Sequence, residues 1–304
     1  MKILLATQKP FSPVAVSKLQ EIAKTEHELI LFEKYKEQSD LEKAVKDVDA
    51  LIVRSDKVTA NVVNAASGLK IVVRAGAGYD NVDLQACSDR NIVVMNTPGQ
   101  NSNAVAELTL GLALYLARNS FLPGTGSELK DKNLGIHAYG NVGKLVATLA
   151  KGFGMNVSAF DPFVNDDVLL KDGVTPIKSV QELYSNNDVV SINIPAIPST
   201  VKSINKELLD GLKENVILIN TARKEVINET DLLDAMKRNP GIKYGTDVMP
   251  DCHEKMTEFG ARYFATPKKM GAETEEANVN AAVAALTQII DFFKTGNEKY
   301  RVNK

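Results

Sequence analysis

Short β-branched runs separated by amphipathic stretches recur along this sequence, and that alternation leaves few folds open. Ile3-Leu4-Leu5, Leu29-Ile30-Leu31-Phe32, Leu51-Ile52-Val53, Ile71-Val72-Val73 and Ile92-Val93-Val94 read as strands. Between them Val14 to Ala23, Leu41 to Val45, Thr59 to Ala66 and Asp83 to Arg90 read as helices. The strands are continuously apolar rather than alternating, which indicates sheets covered on both faces and therefore parallel. A longer helical pattern follows from Ser102 to Arg118, closed by Phe121-Leu122-Pro123-Gly124. The alternation then restarts with Leu134 to Ile136, Val157 to Phe160, Val189 to Ile194, Val216 to Ile219 and Tyr244 to Val248, and ends in a helix from Thr274 to Phe293. At 304 residues the chain fits two domains. The pattern predicts an α/β protein with two doubly wound parallel-sheet domains joined by long helices.

Composition removes several classes of function. Hydrophobic residues at 44% and charged residues at 24% are those of a soluble globular protein. A formal net charge of -2 supplies no basic field for a phosphate backbone, so nucleic acid is not expected as a partner. Cys87 and Cys252 have no metal-ligand spacing and read as free thiols of a reducing compartment. The apolar run Ile3 to Ala6 is too short for a secretion signal and no stretch approaches a membrane span, so a cytoplasmic protein is expected.

One stretch carries a specific chemistry. The strand Leu134-Gly135-Ile136-His137 runs into Ala138-Tyr139-Gly140-Asn141-Val142-Gly143, then a helix from Lys144 to Lys151, then a strand ending at Asp161. This is the order of a dinucleotide-binding unit. Gly140 lets the backbone approach a pyrophosphate seated on the helix N-terminus, and Gly143 lets helix and strand pack closely. Asp161, 18 residues after Gly143, is placed to accept from the adenosine ribose hydroxyls. A carboxylate there repels a 2′-phosphate, so NAD is expected rather than NADP. The first glycine of the pattern is Ala138, which fits that turn on condition that its φ stays negative. His137 reads as a packed strand-end residue.

Ligands of open parallel sheets bind outside the carboxyl ends of the strands. Those ends read Arg54-Ser55-Asp56-Lys57, Arg74-Ala75-Gly76-Ala77-Gly78-Tyr79-Asp80, Asn220-Thr221-Ala222-Arg223, Asp247, and Lys268-Lys269. Together they describe an anion-binding cleft. The planar fork of Arg223 suits a carboxylate and the carbonyl beside it. The amides of Ala75 and Gly76 suit the same carboxylate, Arg54 and Lys57 a second anionic group such as a phosphate, and Asp247 a nicotinamide carboxamide.

Val53-Arg54-Ser55, Arg74 to Asp83, Asn96-Thr97-Pro98-Gly99, Ala106 to Gly111 and Ile219 to Arg223 resemble the signatures of the D-2-hydroxyacid dehydrogenase family, in its 3-phosphoglycerate-oxidising branch. The resemblance spans nearly the whole chain. It implies a flavodoxin-like substrate domain formed by residues 1–97 and 275–304, with a Rossmann NAD-binding domain, residues 98–274, inserted in it. It implies a homodimer and NAD-dependent oxidation of 3-phospho-D-glycerate to 3-phosphohydroxypyruvate, the opening step of serine biosynthesis. Reduction of glyoxylate or hydroxypyruvate, or an NAD-sensing scaffold without turnover, are the alternatives. With the sequence ending at Lys304, a short form without the regulatory domain of longer members is expected. The implied substrate residues are Arg54, Ser55, Lys57, Ala75 and Gly76. The implied cofactor residues are Ala77, Tyr139, Gly140, Asn141, Val142, Gly143, Asp161, Pro162, Ile194, Pro195, Thr221, Ala222, Arg223, Asp247, Gly271 and Ala272.

The departures from the family concern the acid–base group. Its histidine follows a Thr-Pro pair; here Thr266-Pro267 is followed by Lys268-Lys269-Met270-Gly271, one residue longer than the family spacing. Counting forward places Lys268 at that position and counting back from Gly271 places Lys269 there. The family's glutamate falls on Cys252, with Asp251 and Glu254 as neighbouring carboxylates. Either the chain is a non-catalytic relative or a lysine has taken over the proton transfer, and intact substrate residues favour the lysine. Losing the carboxylate suits that exchange, because a glutamate beside an amine of pKa about 10.4 would hold it charged.

Overall fold

The computed structural model describes residues 1–24 and 26–303. Among the described residues the apolar runs form twelve strands, divided between two compact units, Met1–Asn101 with Glu273–Lys304, and Ser102–Ala272.

In the first unit the strands are β1 (Lys2–Thr7), β2 (Glu28–Glu33), β3 (Ala50–Val53), β4 (Ile71–Arg74) and β5 (Val93–Asn96), all parallel in the order β2-β1-β3-β4-β5. That is the flavodoxin-like order. Helices Pro13–Ala23 and Glu275–Thr295 cover one face, burying Leu19, Ala282, Leu286 and Ile289 against Ile3, Leu5 and Ile52. The long helix starts where the Thr274 side chain accepts from the Ala277 amide, carries Glu275 and Glu276 in its first turn, and ends at left-handed Gly296. In register, Val53 pairs with Arg74 and Arg74 with Asn96, so Arg74 and Asn96 come level at the carboxyl edge with Arg54 one residue beyond them.

In the second unit the strands are β6 (Asn133–His137), β7 (Asn156–Phe160), β8 (Thr175–Pro176), β9 (Val189–Ile192), β10 (Ile217–Asn220), β11 (Lys243–Thr246) and β12 (Tyr263–Ala265). They form one parallel sheet in the order β12-β11-β10-β9-β6-β7-β8, the doubly wound dinucleotide-binding order with one added strand. Register sets His137 beside Phe160 and Ile192, Ile192 beside Asn220, Asn220 beside Thr246 and Thr246 beside Ala265. Ala138, Asp161, Thr221, Asp247 and Thr266, each the residue after its strand, therefore emerge side by side. Two strands are shorter than the sequence pattern suggests, β9 stopping at Ile192 and β11 at Thr246. Among the described residues no helix is long and apolar enough to cross a membrane.

Candidate functional site

Between β6 and helix Asn141–Gly152 the chain reverses within three residues. Ala138 extends the ladder by donating its amide to the Phe160 carbonyl at 2.9 Å. Its φ is +80°, which overturns the negative φ expected for an alanine there. The helix start forces this: a Cβ at Gly143 would lie 2.4 Å from the Ala138 carbonyl oxygen, so the helix packs directly on the turn and the chain has no room for a wider one. Gly140 caps the helix without any side-chain bond, leaving the amides of Asn141 and Val142 directed off its end. A Cβ at Gly140 would meet nothing within 4 Å, so the space above those amides is open. Asp161 sits beside it, its Oδ2 accepting the Tyr139 amide at 2.8 Å and its Oδ1 the Phe163 amide at 2.9 Å, one donor on each oxygen. Orphan amides beside an oriented carboxylate fit a pyrophosphate and a ribose. Tyr139 offers neither its side chain nor its amide, since its ring is buried, its hydroxyl donates to Asp172 at 3.1 Å and its amide goes to Asp161. Ile194 is buried, while Pro162 and Pro195 are exposed.

His137, one residue before the turn, belongs to the core. Its Nδ1 lies 3.2 Å from the Tyr184 hydroxyl, and burial pushes its pKa down to about 4 against the pull of Asp161.

The second cluster lies past β10, β11 and β12. Asn220 is fully buried; its Oδ1 accepts the Ala222 amide and its Nδ2 donates to the Arg223 carbonyl, both at 3.0 Å. That pair of bonds holds the backbone on both sides of the peptide between Ala222 and Arg223. The Ala222 carbonyl oxygen accepts Nη1 of Arg223 at 2.9 Å and is approached by Nζ of Lys269 at 3.4 Å. Two cations thus meet on one neutral oxygen, an arrangement suited to an incoming carboxylate. Lys268 and Lys269 are both exposed, and Lys268 makes no such contact among the described residues.

Asp247 departs from its expected role. Its carboxylate is fully buried and accepts three donors of the chain, the Thr266 hydroxyl at 3.0 Å, the Met270 amide at 2.7 Å and the Gly271 amide at 2.8 Å. It faces the lysine-bearing segment instead of open space for a carboxamide. Thr221 is likewise engaged, with the Thr109 hydroxyl at 3.0 Å, and Ala272 is half-buried beside buried Gly271. Glu254 is exposed in the first turn of helix His253–Thr257, where the helix dipole favours a carboxylate. Asp251 is exposed and paired with Lys224. The carboxylate that does reach position 252 is Glu229, which accepts the amides of Asp251 and Cys252 at 3.0 and 2.9 Å. Burial, reinforced by Glu229, pushes the Cys252 thiol up to about 12.

The strand ends of the first unit form a third cluster. The guanidinium of Arg74 folds back over Gly76, where a Cβ would stand 1.5 Å from Nη1, and it is the φ of +145° at Gly76 that demands glycine. The Arg74 Nε donates to the Arg54 carbonyl at 2.9 Å, and Asn81 bridges that carbonyl and the one of Asp56. The Arg54 guanidinium lies 5.1 Å from the centre of the Phe11 ring. Asp56 is buried and turned toward the Gln8 amide and the Tyr35 hydroxyl, both at 2.7 Å. Ser55, Lys57 and Ala77 are exposed. One expected donor is lost: the Ala75 amide continues the ladder to the Val53 carbonyl at 2.8 Å, so it is already used inside the sheet. The amide of Gly76 has no such partner among the described residues.

Four residues of these clusters had no individual role assigned from the sequence: Arg74, Asn81 and Asn220 stood within the stretches read there, and Glu229 lay outside them. Arg74 and Asn220 carried a usable signal, a polar side chain ending an apolar strand. Asn81 and Glu229 act from loop and helix-start positions that no spacing rule singles out.

A family profile described as D-isomer specific 2-hydroxyacid dehydrogenase, catalytic domain, matches residues 4–303. The chain is 35% identical over 268 residues to the D-3-phosphoglycerate dehydrogenase of Methanocaldococcus jannaschii, covering 83% of this chain and 51% of that protein. It therefore spans about half the length of the D-3-phosphoglycerate dehydrogenases it matches there and in Homo sapiens. It is 33% identical over 289 residues to the hydroxypyruvate reductase of Thermotoga maritima, covering 88% of this chain and 92% of that one. Among solved structures, NAD+-bound 3-phosphoglycerate dehydrogenase of Entamoeba histolytica is 45% identical, with a TM-score of 0.89 over 100% of this chain and 99% of that one.

Proposed function

Because this chain belongs to the D-isomer specific 2-hydroxyacid dehydrogenase family, we propose that it oxidises 3-phospho-D-glycerate to 3-phosphohydroxypyruvate with NAD, reversibly. The observation that carries this reading is the pair of cations on the Ala222 carbonyl, Arg223 and Lys269. Arg223 would hold the substrate carboxylate through its planar fork and polarise the adjoining C–O bond. Neutral Lys269 would take the hydroxyl proton during oxidation, and as an ammonium return it to the keto oxygen during reduction. NAD, when bound, supplies the hydride acceptor. The amides of Asn141 and Val142 and the carboxylate of Asp161 would hold it. Arg54, Lys57 and Gly76 would recognise the substrate's anionic groups, with Arg74 joining them. A cytoplasmic homodimer belongs to the same proposal and rests on the family resemblance.

A spectrophotometric assay of NADH with 3-phosphoglycerate, phosphohydroxypyruvate and glyoxylate in parallel tests it. Turnover with the phosphorylated pair alone is expected. Activity with glyoxylate or hydroxypyruvate alone would favour the second reading, a reductase, which the Thermotoga maritima relative supports through its nearly full-length match. Cofactor binding without turnover would leave a scaffold. Lys269→Ala should lower kcat at least about 100-fold, the range of a general acid–base group, while Lys268→Ala stays within about 3-fold. Equal losses in both would remove the assignment to Lys269.

A further inference from the structure

We propose that Asp247 is a positioning residue, a buried clasp that holds the segment from Thr266 to Gly271 so that the Lys269 ammonium meets Arg223 at the Ala222 carbonyl. The inference rests on the acid–base role proposed for Lys269. Both oxygens of the carboxylate are committed to that segment, Oδ1 to the Thr266 hydroxyl and the Met270 amide, Oδ2 to the Gly271 amide. Lys269 lies between the anchored residues Thr266 and Met270, so its backbone cannot drift while the clasp is closed. Gly271 packs so tightly that a Cβ would stand 2.8 Å from Oδ2. The clasp is fixed from behind as well. The Asn220 carbonyl accepts the Asp247 amide at 3.1 Å and the Thr246 hydroxyl at 3.0 Å, and the Asn220 side chain holds the backbone on both sides of the Ala222–Arg223 peptide. One buried asparagine and one buried aspartate therefore set the two cations against each other.

Asp247→Asn tests this, because a carboxamide presents N–H donors where one of the amide donors must be received. Misplacement of a catalytic group by about 1 Å costs on the order of 100-fold, so kcat should fall about 30- to 100-fold. The dissociation constant of NADH, measured by calorimetry, should change less than about 3-fold, since the variant leaves the pyrophosphate turn untouched. In the cofactor-free protein, hydrogen exchange of the Met270 and Gly271 amides should quicken. Added methylamine should raise kcat of Asp247→Asn as it raises that of Lys269→Ala, because a free amine needs no anchored loop. A rise in the NADH dissociation constant that matches the loss of kcat would overturn the proposal in favour of a cofactor contact. So would unchanged kcat in Asp247→Asn beside a crippled Lys269→Ala. If Lys269→Ala itself keeps its activity, the acid–base reading fails, and the exchange rates alone decide whether the clasp exists. Should Asp247→Asn not fold, Thr266→Val removes a single donor. It is expected to lower kcat about 5-fold in the wild-type background and not at all in Lys269→Ala; equal effects in both would overturn the clasp.

Discussion

Ala138 carries a φ of +80° at the first position of the glycine turn. Its Cβ is strained there by about 1–2 kcal/mol relative to glycine. Replacing alanine by glycine gives back about 0.4–1 kcal/mol to the unfolded chain as conformational entropy. Strain relief is the larger of the two, so Ala138→Gly should stabilise the protein by about 0.5–1 kcal/mol and raise Tm by about 1–4 °C in calorimetry. A lower Tm would mean that the turn is not held in this conformation. The sequence showed which residue occupied the turn but not the sign of its φ. That sign follows from how closely helix Asn141–Gly152 packs on the Ala138 carbonyl, which only the assembled turn reveals. The same limit applied to Ala75, whose amide looked available until β3 was aligned beside it.

Elements differed in how much of themselves they announced. The central strands and the long helices Ser102–Ala117 and Glu275–Thr295 were legible because each carries several periods of its pattern. Helices of five to seven residues complete at most two turns: Ala60–Ala65 and Leu84–Asp89 stood out between the strands that flank them, whereas Asp166–Lys171 and His253–Thr257 did not. Nor was any role visible for residues 301–303, which run antiparallel to β5 and cover its edge. Arg301 bridges to Met95, and the Val302 amide donates to the Val94 carbonyl at 2.8 Å. Asn303, 2% exposed, accepts the Val94 amide at 2.8 Å and donates to the Ile92 carbonyl at 2.9 Å and the Ser88 hydroxyl at 3.0 Å. Asn303→Ala leaves a buried strand amide and carbonyl unpaired, and each unsatisfied group costs about 1–3 kcal/mol. Urea unfolding should show a loss of about 2–4 kcal/mol. Deleting residues 301–304 should in addition bare the edge of β5 and raise light scattering on warming. A variant as stable as the wild type would mean that the edge is satisfied without Asn303.

At the scale of the whole molecule, topology was the most legible property, since continuously apolar strands alternating with helices admit little besides parallel doubly wound sheets. The candidate site residues were legible as strand ends; which of them meet was not, because Lys269 reaches the Ala222 carbonyl, and Gly271 the Asp247 carboxylate, by hydrogen bonds across long sequence separations. Global stability depends on pH through one residue the sequence marked as mere packing. The His137 imidazole is held to a pKa of about 4 by burial, against about 6.5 in the unfolded chain. Between those values the unfolded chain binds a proton that the folded one refuses, so stability is full above pH 6.5 and falls as the pH drops toward 4. The whole contribution is about 3 kcal/mol, of which about 2 kcal/mol is gone at pH 5. Asp188 does not confuse that window. Burial raises its carboxyl, but Lys213 and the Asn133 amide outweigh burial and leave it lowered, so its contribution fades as the pH falls below the ordinary carboxylate value of 3.8. His137→Gln keeps a hydrogen-bonding group beside Tyr184 and removes the titration. Urea unfolding at pH 7 and pH 5 should therefore show a loss about 2 kcal/mol larger in the wild type than in the variant. Equal losses would place the imidazole in contact with water and remove it from the core.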